Sequence, residues 1–132
     1  MVLLVLLVLA LFVIQTLLPG RFREPAPEGG QSKLAENLGN RDHMRPLTVV
    51  GERATRALDN MHEALPVFLA LALLNMIVGT AALAITGATV FLIARVLYTA
   101  IYIAGIPVAR TLVWGVSWVG LAMMVGPLLE KI

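Results

Sequence analysis

No cysteine occurs in the 132 residues, which excludes a disulfide, a thiol nucleophile and any thiolate-ligated metal. Thiol chemistry would have to be brought in by a bound cosubstrate. Charge is scarce as well. Only 14% of the residues are Asp, Glu, Lys or Arg, against about 25% in soluble domains. The two histidines, His43 and His62, lack the spacing of a metal-binding pair, so no metal site is expected. The net charge is +2, and an excess this small predicts no nucleic-acid partner. No internal repeat is evident.

What fills the chain instead is apolar. Hydrophobic residues make up 59% of it, and the mean hydropathy is +0.89. Water cannot be the solvent for most of such a surface, and the lipid bilayer takes its place. The reading is one all-α domain, an integral membrane four-helix bundle over residues 1–132. Spans are expected at about 2–18, 57–79, 82–104 and 108–129, with a polar connection at about 19–47. The first run has no basic residue ahead of it and no small-residue cleavage site after it, so an uncleaved span is preferred to a signal peptide. Pro19-Gly20-Arg21 reads as its helix stop. Six Gly or Pro residues between Pro25 and Pro46 oppose a continuous helix in the connection. A connection this long is either functional or partly mobile. Thr48 is placed to cap the second helix, which then runs far enough to project from the bilayer, with Pro66 inside it.

Seven of the ten Lys and Arg lie between Arg21 and Arg56, Arg110 is beside the third loop, and the second loop has none. Basic residues in short loops stay cytoplasmic. Both termini are therefore expected outside, with loops one and three in the cytoplasm.

Fourteen of the 18 charged residues lie between Arg21 and Glu63, and Ala64–Leu129 carries only Arg95 and Arg110. Three polar constellations result. At about 100° per residue, Arg53, Arg56, Asn60 and Glu63 share an arc of roughly 80° on one helix face. Two guanidiniums, an amide and a carboxylate suit a zwitterionic or anionic ligand; a solvated face with internal ion pairs is the competing reading. Arg95, Tyr98 and Tyr102 share a second face, in a span where a charge costs at least about 2.5–3.5 kcal/mol. Arg95 marks a site or pairs structurally with Glu63. Third, Gly105-Ile106-Pro107 leads into a helix that starts with Arg110 and Thr111. Free N–H groups and a cation there favour an anion such as a thiolate; the alternative is a plain interfacial anchor. By topology the three meet on one side of the membrane. Asn75 is expected to make a helix–helix hydrogen bond, and Trp114 suits an interfacial belt.

These residues resemble the MAPEG family, membrane-associated proteins in eicosanoid and glutathione metabolism. The resemblance is carried by Glu52-Arg53-x-x-Arg56-Ala57-x-x-Asn60-x-x-Glu63-x-x-Pro66, then by Arg95 and Tyr102 with the Gly-x-Pro loop and Arg110-Thr111. It implies a homotrimer with a glutathione site between subunits. Arg53, Arg56, Asn60 and Glu63 would hold glutathione, Arg95 and Tyr102 would support it, and Arg110 with Thr111 would sit at the sulfur. Asp59 departs from the eicosanoid-type members, which place an arginine there. The resemblance thus implies a thiol transferase or peroxidase acting on a lipophilic small molecule. A non-catalytic subunit is the alternative, its polar stripe an inter-subunit ion-pair network. A proton-coupled exporter fits less well, because the only acid near a span is Glu63.

Overall fold

Four apolar runs form four long helices in the computed structural model, which describes residues 1–30, 32–40 and 44–131. In chain order the helices are α1 (Val2–Arg21), α2 (Lys33–Leu38), α3 (Val49–Val78), α4 (Ala82–Ala104) and α5 (Pro107–Leu129). All but α2 are long and apolar enough to cross a membrane. The described residues contain no strand, only an isolated antiparallel bridge between Arg23 and Leu47. The protein is a multi-pass integral membrane protein.

The first helix is apolar all round and buries fully only Val8 and Gln15. It lies on the outside of the bundle against α3 and α4. It also runs past the expected stop, through Pro19 and Gly20 to Arg21. A proline removes one N–H and crowds the carbonyl four residues back. In the last turn that costs a single bond of a helix already ending, and the Phe22 N–H still donates to the Pro19 carbonyl at 3.1 Å.

The long connection is folded and contains α2, a helix the density of Gly and Pro argued against. Ser32 starts it by accepting from the Ala35 N–H at 3.2 Å. Glu36 then pairs with Arg45 at 2.8 Å, both side chains nearly buried. Glu24 donates to the Pro46 carbonyl at 3.1 Å and Thr48 to the Phe22 carbonyl at 2.8 Å, zipping the two ends of the connection together. A Cβ on Gly51 would lie 2.6 Å from the Phe22 carbonyl oxygen, so only glycine lets α3 start against this strap.

Thr48 caps α3, its hydroxyl accepting from the Gly51 N–H at 3.2 Å. The helix continues through Pro66 for 30 residues, about 45 Å, which exceeds a hydrocarbon core of about 30 Å. Phe68 stacks on Phe91 of α4 with ring centroids 4.7 Å apart. Helices α4 and α5 pack most extensively, backbone to backbone. A Cβ on Gly87 would meet the Gly120 carbonyl at 2.5 Å, and one on Gly120 the Gly87 carbonyl at 2.7 Å. Small residues substitute here for a hydrophobic driving force that lipid does not provide. Two buried amides complete the ties. Asn75 donates to the Met124 carbonyl at 2.9 Å, and Gln15 donates to the Thr99 hydroxyl.

Candidate functional site

The polar face of α3 is divided by its rotation in the bundle. Ala57, Met61, Ala64 and Phe68 are buried. Arg53 and Asn60 lie on the edge of the polar arc nearest them and are half-buried, while Arg56 and Glu63 lie further round and are exposed.

Beneath Asn60 sits Arg95 of α4, only 1% exposed. Its Nη1 donates to Asn60 Oδ1 at 2.6 Å. Its guanidinium also lies 5.2 Å from the Phe91 ring centre and 5.6 Å from that of Tyr98. Its Nε and Nη2 have no hydrogen-bond partner among the described residues. Arg95 thus bonds an amide, and no ion pair with Glu63 is found among the described residues. With the amide oxygen held by Arg95, the Asn60 NH2 group is turned away from Arg95 and is free to donate to a ligand.

One helical turn beyond Tyr98 stands Tyr102, and α4 ends just after it, at Ala104. Gly105 adopts φ +80° there, and its N–H donates back to the Ile101 carbonyl at 3.0 Å. The guanidinium of Arg53 lies directly on Gly105, in the space a Cβ would need. It donates to the Ile103 carbonyl at 3.4 Å. A cation at these last carbonyls complements the helix dipole. Pro107 then opens α5, where its missing N–H costs no helical bond. Arg110 projects from the first turn over Tyr102, 4.6 Å from the ring centre. Thr111 is exposed, and its hydroxyl donates to the Pro107 carbonyl at 3.2 Å.

Two adjoining openings result, and they share Tyr102 and Arg110. The first, about 170 Å³, is lined by Arg53, Arg56, Tyr102, Arg110 and the Gly105–Pro107 turn. Three guanidiniums surround it and no carboxylate lines it among the described residues, a lining whose charge suits an anion. Arg56 reaches Glu52 only through an exposed contact of 3.7 Å, worth little in water. The second opening, about 240 Å³, is lined by Asn60, Tyr98, Tyr102, Arg110, Thr111 and Trp114. It offers a cation, amide donors and hydroxyls between aromatic walls.

Six of the residues singled out from sequence therefore line the two openings: Arg53, Arg56, Asn60, Tyr102, Arg110 and Thr111. Arg95 is beneath them, and Glu63 is exposed and lines neither. Tyr98, which shares the Arg95 and Tyr102 face, and Trp114, expected at the membrane interface, also line the second opening, although neither was expected as a ligand-binding residue. Their signal was helical spacing, since Tyr98 precedes Tyr102 by four positions and Trp114 follows Arg110 by four. His62 packs edge-on against Phe12 at 5.1 Å, and His43 lies outside the described residues. No cluster of metal-ligating side chains occurs among the described residues.

Residues 1–129 match the family model described as the MAPEG family. No curated protein matches the chain.

Proposed function

The chain belongs to the MAPEG family, and from that premise we propose that it binds glutathione or a similar thiol at a subunit interface of a homotrimer. It then transfers the thiol to a lipophilic electrophile, or uses it to reduce a lipophilic peroxide. The observation that carries the reading is Arg110, the one cation common to both openings.

The donor set fits such a peptide thiol. Arg53 and Arg56 present planar forks suited to carboxylates. Asn60, its oxygen held by Arg95, presents donors to a peptide carbonyl or carboxylate. Arg95 acts through Asn60 as a positioning residue. Glu63, exposed on the subunit surface, is placed to take an ammonium where a neighbouring subunit closes the crevice. Arg110 and the free N–H groups at the start of α5 lower the pKa of a thiol beside them, by the pull of positive charge on the thiolate. The thiol proton leaves to solvent. The sulfur electron pair then forms the bond to an electrophile that enters from the bilayer, and the displaced group leaves with the bonding pair and takes a proton from water. With a peroxide the O–O bond breaks instead, the alkoxide takes a proton from water, and the sulfenic acid formed on the thiol reacts with a second thiol to give disulfide and water. Tyr102 supplies a hydroxyl at the sulfur, and Thr111 does so when its hydroxyl turns from the Pro107 carbonyl. In this reading loops one and three face the cytoplasm, where reduced thiols are abundant.

Turnover of a lipophilic electrophile by purified protein tests the proposal. Arg110→Ala is expected to lower kcat by about a hundredfold, as when one preorganised charge-stabilising donor is removed. Unchanged turnover in that variant would refute the assignment. No turnover by the native protein, together with a stoichiometric co-purifying partner, would favour the non-catalytic subunit instead.

A further inference from the structure

The thiol site leaves the long first connection without a role, yet the connection is folded, and it encloses space. The largest of the described cavities, about 880 Å³, lies on the other side of α3 between the end of α1, the strap and α2. Its apolar walls include Leu17, Leu34, Leu47 and Leu58, and its charged lining among the described residues is Arg21 and Arg23, with no acid among them. Arg21 is exposed and makes no ion pair among the described residues. Arg23 is fixed in place by donating to the Arg45 carbonyl, while its buried Nε lacks a partner among the described residues. The volume is in the range of sites that hold drug-sized or lipid ligands, about 300–1,000 Å³.

The position in the fold narrows the ligand. The apolar run of α1 ends at Leu18 and is followed by Arg21 and Arg23, so the cavity straddles the level at which hydrocarbon gives way to headgroups. A ligand there meets leucines from α1, the connection and α3 together with the guanidiniums of Arg21 and Arg23. Thr55 and Leu58 line this cavity from α3, whereas Arg53, Arg56 and Asn60 line the thiol site from the same helix. The two sites are back to back and do not overlap.

We propose that this cavity is a second binding site, for an amphiphile with an anionic head and an aliphatic chain, and that the folded first connection exists to build it. The head lies between Arg21 and Arg23, and the chain lies along Leu17, Leu34 and Leu58. Two sources have this chemistry, an anionic phospholipid of the bilayer and a free long-chain carboxylate.

Photo-crosslinking tests the assignment. Full-length protein in nanodiscs is labelled with diazirine-tagged phosphatidylglycerol, oleate or phosphatidylcholine, and the labelled peptides are mapped. Phosphatidylglycerol or oleate is expected to label peptides at residues 17–23 and 34–58 well above phosphatidylcholine. Which of the two does so identifies the source. Arg21→Gln, at an exposed position outside the strap, lowers labelling about fivefold, the weight of one basic residue beside an anionic headgroup. Leu34→Trp fills the cavity and abolishes labelling. Equal labelling by phosphatidylcholine, or labelling indifferent to both substitutions, would overturn the proposal. Neither Arg21 nor Leu34 lines the two openings of the thiol site, so failed labelling overturns this proposal while thiol-dependent turnover separately tests the proposed function.

Discussion

The contact between Asn60 and Arg95 predicts an asymmetry in stability. Asn60→Ala removes the only hydrogen bond described for a guanidinium that is 1% exposed. The Nε and Nη2 of that group are already unpartnered. A hydrogen bond to a charged group contributes about 1.5–3 kcal/mol, and stranding the charge carries the full penalty. Asn60→Ala should therefore cost about 2 kcal/mol. Arg95→Met behaves differently. It gives up the same bond and the aromatic contacts with Phe91 and Tyr98, together about 3 kcal/mol. It also removes a charge whose place in a span costs at least about 2.5–3.5 kcal/mol. These terms nearly cancel, and a net change within about 1 kcal/mol is expected. With Arg95→Met already in place, Asn60→Ala should cost little more, giving a coupling of about 1.5 kcal/mol. Reversible unfolding by sodium dodecyl sulfate in mixed micelles, followed by helical circular dichroism, measures all three variants. Additive costs would refute the reasoning, as would an Arg95→Met variant less stable than Asn60→Ala. In turnover, Arg95→Met should raise KM for the thiol more than it lowers kcat, because the Asn60 amide is then free to rotate.

Two further predictions concern the scaffold. Gly120→Ala places a Cβ 2.7 Å from the Gly87 carbonyl and 2.8 Å from the Phe91 nitrogen. Backbone atoms cannot swing aside, so α4 and α5 must separate, costing about 1–3 kcal/mol in the same unfolding assay; a neutral substitution would show that the helices do not cross there. Glu36→Ala leaves Arg45 unpaired in a nearly buried position, a loss of about 3 kcal/mol by the cost of breaking a buried pair. That loss should appear as faster proteolysis between residues 24 and 46 with the bundle's unfolding midpoint unchanged, and equal cleavage rates would contradict it.

The sequence revealed the spans because a bilayer leaves few choices. Long uncharged runs must be helices, and Thr48 is a strong cap before one of them. It revealed less where tertiary contacts decide. Helix α2 has six residues and depends on an ion pair between Glu36 and Arg45, nine positions apart. Pro19 could not be read as harmless without knowing that the helix ends two residues later. The polar arc of α3 was legible as an arc, but its rotation was not. Whether Asn60 or Glu63 faces Arg95 depends on how α3 packs on α4, and that follows from Phe68 stacking on Phe91. Tyr98 and Trp114 were visible as aromatic residues at helical spacing. Only the α4–α5 turn brings them to the same opening.

The most direct test of the central claim is a thiolate difference spectrum, recorded while glutathione is titrated into the purified protein at neutral pH. The account predicts a saturable thiolate absorbance at millimolar glutathione or below. That signal is lost in Arg110→Ala, weakened in Arg53→Ala, and retained in Leu34→Trp, whose change lies in the other cavity. No thiolate signal in the native protein at millimolar glutathione, or an undiminished one in Arg110→Ala, would contradict it.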